Sequence, residues 1–236
     1  MIRQPFLLFF ILGIVMVLSV AFKKLTVAAS LAGGLVGWCV YAGAGFTGLA
    51  LLGAFFILGI AATAHKRSWK QELTISKKEK HARTAGQVFA NGGLAGILGM
   101  LILFLPQHAI TLQLMLAASL SSATADTVSS ELGMVYGRRF YNIHTGQKEA
   151  RGLDGVVSVE GLLLGMAGSI LIAFVYCFGF GFGASFLWIV VAGTAGNLVD
   201  SYLGAVWERK NILTNNAVNF LNTVLAALTA WILSFL

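Results

Sequence analysis

LTVAASLAGGLVGWCVYAGAGFTGLALLGAFFILGIAATA, residues 25–64, runs for forty residues without one charged side chain. A bilayer's hydrocarbon core is ~30 Å thick and a helix needs roughly 20 apolar residues to cross it. The run therefore reads as two spans, 25–43 and 46–64, joined by a very short turn. Working outward, further apolar segments occupy 6–22, 86–105, 109–130, 156–178, 185–207 and 215–235. In lipid the backbone must satisfy its own hydrogen bonds, so spans are helices or closed barrels. These segments are continuously apolar rather than alternating, which excludes a barrel. The expected fold is all-α: a polytopic transmembrane helical bundle of about eight spans, one domain over 1–236. Six or seven spans with a re-entrant piece is the alternative. Composition agrees, with 58% hydrophobic and 11% charged residues and a mean hydropathy of +0.84; a soluble domain carries about 25% charged residues. The 28 glycines predict close helix packing. No small-x-small cleavage site follows the first apolar run, which is read as a retained span. Cys39 and Cys177 fall inside spans and read as small buried hydrophobes.

The net charge of +7 does not call for a nucleic-acid partner, because basic loops are the ordinary topology signal of membrane proteins. With eight spans, every lysine and arginine except Arg3 falls in the loops that follow odd-numbered spans. The positive-inside rule then predicts an integral protein of a cell's inner membrane, with the large basic loops 65–85 and 131–155 cytoplasmic and both termini outside. Residues 66–80 read as a solvated loop against anionic headgroups, or as an interfacial amphipathic helix.

Polar groups inside spans are costly and usually functional, and here they gather at the cytoplasmic ends. Arg83, Gln87 and Asn91 recur every four residues, which places them on one helix face; an arginine fork suits phosphate. Ser122, Asp126 and Ser130 share another face. Glu131 lies about 140° round from Asp126, so both could reach one ion only if the helix broke near Gly133. Lys148, Arg151, Gly152, Asp154 and Ser158 form a glycine-flanked polar loop ahead of a span, a pattern suited to anions. Asp200 sits about two turns inside span seven, with Asn197 and Ser201 near its face. Asn215, Asn216, Asn219 and Asn222 open the last span; helix capping explains one asparagine but not four. Two carboxylates plus substrate phosphates would suit Mg²⁺, and Asp126 is the leading candidate ligand. The alternative for all of these is interhelical hydrogen bonding.

Five motifs occur in order: R-x-x-G-Q-V-x-A-N-G-G from Arg83, A-T-A-D-T-x-x-S-E-L-G around Asp126, G-x-D-G-x-V-S-x-x-G from Gly152, G-N-x-x-D-S-x-L-G-A around Asp200, and N-N-x-V-N-F-x-x-T from Asn215. Over about residues 25–236 the chain resembles the integral-membrane family called "domain of unknown function 92". That family includes plant chloroplast phytyl-phosphate kinases. The resemblance implies phosphoryl transfer from a nucleoside triphosphate, CTP or ATP, to an isoprenyl monophosphate with Mg²⁺ as cofactor. Taken with the reading of the residues above, this puts Arg83, Asn91, Asp126 and Asp200 in the expected catalytic set and Asp126, Glu131 and Asp200 on the metal. Gln87, Lys148, Arg151, Gly152, Asp154, Ser158, Asn216 and Asn219 would contact substrate or nucleotide phosphate. Partners implied are membrane lipid, the isoprenyl phosphate and the nucleotide, with a homo-oligomer left open. The rival readings are a CDP-lipid-type nucleotidyltransferase and a lipid or small-molecule transporter.

Overall fold

The computed structural model describes residues 5–73 and 82–236; Arg3, Lys77, Lys78, Lys80 and His81 lie outside them. Eight α-helices follow one another: α1 Pro5–Ala21, α2 Val27–Ala64, α3 Arg67–Leu73, α4 Ala85–Phe104, α5 Ala109–Tyr136, α6 Val159–Phe180, α7 Ser185–Leu203 and α8 Asn215–Leu233. The protein is a transmembrane helical bundle. Five helices, with α7 counted through to Glu208, are long and apolar enough to cross a membrane. As a straight rod α2 would be about 57 Å long, twice what a bilayer needs. It is not straight. Gly45 takes φ 61°, ψ −152°, a conformation open essentially to glycine alone, and the chain doubles back there. A Cβ built on Gly37 would touch the side chains of Leu49 and Leu52. Arg83 meets both ends of the hairpin, pairing its backbone with Leu25 and laying its guanidinium against Gly59. Halves 27–44 and 46–64 are therefore separate rods, and with α1 and α5 the bundle has eight long rods.

Helix α5 is the axis. It packs against α2, α4, α6, α7 and α8, and residues 116–125 are all buried. Lipid tails are as apolar as leucine, so close packing and hydrogen bonds hold membrane helices together. Small residues make that packing here. A Cβ on Gly165 would lie 2.8 Å from the Ala125 carbonyl, and one on Gly133 would lie 3.0 Å from the Gly161 Cα. Some buried hydroxyls of α5 are satisfied within the helix, as where Thr124 Oγ1 donates to the Leu120 carbonyl at 2.7 Å.

Rods 27–44, α4, α6 and α8 all begin on the basic-loop side, capped by Thr26, Thr84, Ser158 and Thr214. The cap of α8 is a threonine, so none of the four asparagines is used for it. The positive ends of four helix dipoles thus open toward one face.

Segment 137–158 carries a small antiparallel hairpin, β1 Tyr141–Asn142 with β2 Val156–Val157. It is pinned to the end of α7, where a π-helical turn spans Gly204–Glu208. Gly155 has φ 71° and packs so tightly on Ala205 that any Cβ would collide. Arg209 Nη2 pairs with Glu149 Oε2 at 2.6 Å, and Nε donates to the Asp154 carbonyl at 2.6 Å. Hydrogen bonds from Arg209 and then Asn142 hold the Glu149 carboxyl below the usual carboxylate range.

One expectation about loop 65–85 needs correction. Lys70, read as a solvated topology charge, is buried on α3, 5% exposed. Its Nζ donates to the carbonyls of Ala62 (2.9 Å) and Thr63 (3.0 Å) and to Glu131 Oε2 (2.6 Å). The reason is local: the chain turns back at Lys66, with φ 46°, and lays α3 over the carbonyl end of α2, where a cation is favoured.

Candidate functional site

Asp126 lies on α5 and Asp200 on α7, and their carboxyl groups meet in hydrogen-bonding contact between the helices. Both are half-buried. Asn222 on α8 donates Nδ2–H to Asp200 Oδ2 at 2.6 Å, and Ser122 Oγ donates to Asn222 Oδ1 at 3.0 Å. Three helices therefore meet in one polar knot on the basic-loop side of the bundle. α7 approaches closely because Gly196 faces Ser122, leaving no room for a Cβ. Asp154, on the hairpin segment, lies within electrostatic reach of Asp200, and Glu208 on the π turn within reach of Asp126. Asn197, one turn before Asp200, is buried with its Nδ2 unpartnered.

Two carboxylates in contact cannot both be ionised unless a cation lies between them; otherwise they share a proton. Among the described residues no lysine or arginine forms a salt bridge to either aspartate, and no group of three or more His, Cys, Asp or Glu side chains is arranged to hold a metal. Mg²⁺ does not need such a group, since it binds through one or two carboxylates plus waters and substrate phosphates. The aspartate pair fits that donor set.

The other residues singled out in the sequence are placed as follows. α5 continues unbroken to Tyr136, so Glu131 stays on a different face from Asp126 and meets Lys70. Arg83 is half-buried, its Nη2 2.9 Å from where a Gly59 Cβ would be, within electrostatic reach of Glu131. Gln87 closes a capping box, its Oε1 accepting from the Thr84 amide at 2.9 Å. Asn91 Nδ2 donates to the Gln87 carbonyl at 2.9 Å. Ser158 Oγ accepts from the Gly161 amide at 3.1 Å, so it caps α6. Arg151 is held between Trp69 and Phe140, its guanidinium carbon 5.7 and 5.2 Å from the ring centroids, with Nη1 donating to the Met134 carbonyl at 3.3 Å. Lys148 is exposed opposite Tyr141, and Gly152 turns the chain with φ 83°. Asn216 lies against Gly86, whose Cβ would fall 2.9 Å from Nδ2; Asn219 is half-buried one turn further on. Asn222 and Glu208 were absent from the candidate set. The signal for Asn222 was its place in the asparagine stripe one turn past Asn219; nothing in the sequence marked Glu208, which only the π turn brings round.

Residues 10–227 match the family described as "Integral membrane protein DUF92". The chain belongs to this family. Protein VTE6, chloroplastic, of Arabidopsis thaliana is 31% identical over 95% of this chain and 68% of its own length. An uncharacterised membrane protein of Methanocaldococcus jannaschii is 34% identical over 78% of this chain and 75% of its own. Another, of Synechocystis, is 34% identical over 83% and 77%. No solved structure matches.

Proposed function

We propose that this protein is a membrane-embedded isoprenoid monophosphate kinase. A phosphate oxygen of the isoprenyl monophosphate attacks the γ-phosphorus of CTP or ATP, the bond to the leaving nucleoside diphosphate breaks, and the isoprenyl diphosphate forms. The observation that carries this is the meeting of Asp126 and Asp200 between helices of a transmembrane bundle, toward the basic-loop side on which four capped helices begin. Family membership supports it, through the activity that the motif resemblance implies.

Phosphoryl transfer asks the protein for positioning and charge neutralisation rather than a covalent nucleophile. A phosphate monoester is already largely dianionic at pH 7, so no general base is required. Asp126 and Asp200 would hold Mg²⁺, which when bound neutralises charge on the phosphate oxygens. Asn222 orients Asp200, and Ser122 fixes Asn222 in turn. Asn216 and Asn219, earlier on the same helix, would donate to phosphate. The helix N-termini favour anions there. Lys148 and Arg83 would draw phosphates to a cytoplasmic mouth. Arg151, stacked between two rings, braces α3 against segment 137–158 and acts on phosphate only if that stack opens.

The test uses purified protein in lipid nanodiscs with Mg²⁺, isoprenyl monophosphates and CTP or ATP labelled at the α or γ position. Label from the γ position on a lipid diphosphate is expected. Label from the α position would instead mean nucleotidyl transfer to a CDP-lipid. Substrate flux without nucleotide would mean a transporter.

A further inference from the structure

An apolar groove of about 720 Å³ runs along the outer face of α4 between the first half of α2 and the start of α8. Its floor is low because α4 presents Gly86, Ala90 and Gly93 to it; Leu35 and Phe220 form parts of the walls. One end is Gly86 with Asn216, and the other is Phe104. Those ends are about 27 Å apart at the ~1.5 Å helical rise, close to the ~30 Å of a bilayer core. The volume lies within the range of ligand sites. Asn216 is the groove's polar end, and it stands on the basic-loop side. From it the amides of Asn216, Asn219 and Asn222 step along α8 for about 9 Å to the hydrogen bond on Asp200. The groove's polar end and the carboxylate pair are thus joined by one helix, α8, whose Asn222 is buried against Asp200.

We propose that this groove seats the hydrocarbon chain of the isoprenyl monophosphate, headgroup at Asn216 and tail toward Phe104. The assignment rests on the isoprenyl-phosphate reading above. The small residues of α4 leave a trough deep enough for a methyl-branched chain, and the helix that closes the trough at Asn216 also carries the asparagine bonded to Asp200. An ordinary acyl chain of the bilayer could lie in the trough, but it would gain nothing from the amide stripe.

The test is photolabelling in nanodiscs with a diazirine-tailed geranylgeranyl monophosphate, followed by peptide mapping. Label is expected on residues 86–104, competed by unlabelled geranylgeranyl monophosphate but not by dioleoyl phosphatidate. Gly93→Phe projects a ring into the trough, since a Cβ at Gly93 meets only its helical neighbour Phe89, and should cut the labelling at least five-fold. Leu187→Phe, on an exposed part of α7, should leave it unchanged. Label spread over all lipid-facing helices, or competed equally by phosphatidate, would overturn the proposal. The wild-type map decides this even if Gly93→Phe does not fold. Groove-specific label without phosphoryl transfer would keep the seat and sink the kinase; transfer with label elsewhere would do the reverse.

Discussion

Helix α5 carries two acidic residues five positions apart, and the bundle treats them in opposite ways. Glu131 is met by Lys70, whose Nζ is also tied to two backbone carbonyls at the end of α2. That is an acid met by a cation, and it fastens α3 to the bundle. Asp126 is met by a second acid, Asp200, and the neutral amide on Asp200 comes from Asn222. That arrangement is incomplete by itself. Like charges in contact are unfavourable, and a structural role would have been served better by a lysine. The difference separates a carboxylate kept for holding the fold from a pair kept for a cation that arrives with substrate.

The sharpest way to break the comparison is to neutralise one acid of each kind. Asp126→Asn and Asp200→Asn should each lower turnover at least ~10²-fold, the scale of losing a positioned electrostatic group, while the unfolding midpoint in detergent stays the same or rises. If either variant instead unfolds at much lower temperature with turnover per folded molecule intact, the pair is structural. Lys70→Met should do the opposite, destabilising by about 3–5 kcal/mol because the buried ion pair with Glu131 is broken. The double variant Lys70→Met/Glu131→Gln should recover much of that loss, and a thermodynamic cycle from chemical denaturation reads the coupling.

A smaller effect is expected at Gly155. Replacement by alanine puts a Cβ at φ 71° and into Ala205, costing on the order of 1–3 kcal/mol of local strain. Faster amide exchange across 141–157 with an unchanged bundle would show it; unchanged exchange would mean the hairpin is held elsewhere. The smallest effect concerns pH. Arg209 holds Glu149 below its usual range, so this exposed pair helps dock the segment at every pH above the unfolded glutamate value of about 4.3. The contribution fades as pH falls through the lower folded value. Proteolysis within 141–157 should therefore rise only in acid, and Arg209→Met should raise it most at pH 7 and flatten its further rise in acid.

Much of this was legible in the chain. Forty uncharged residues had to form two spans, because hydrocarbon thickness and helical rise leave no other fit, and Gly45 makes the turn. The gathering of acids and amides toward one end of the spans was visible because eight apolar runs fix depth along each helix. Depth is one-dimensional, and rotation about each axis is not written in it. The sequence therefore grouped Glu131 with Asp126 and gave Asn222 no role beyond its polar stripe, although the unbroken course of α5 turns one away and the rotation of α8 brings the other onto Asp200.

What the sequence determined by itself is what depends on neighbours along the chain: a membrane bundle, its spans, the family and the end where its polar residues lie. Only the tertiary structure decided which acid meets which partner, because Lys70 and Glu131 are sixty-one residues apart and Ser122 and Asn222, at the knot, are a hundred apart. Those meetings follow from how closely glycine-lined helices pack and at what rotation, and no local pattern records that.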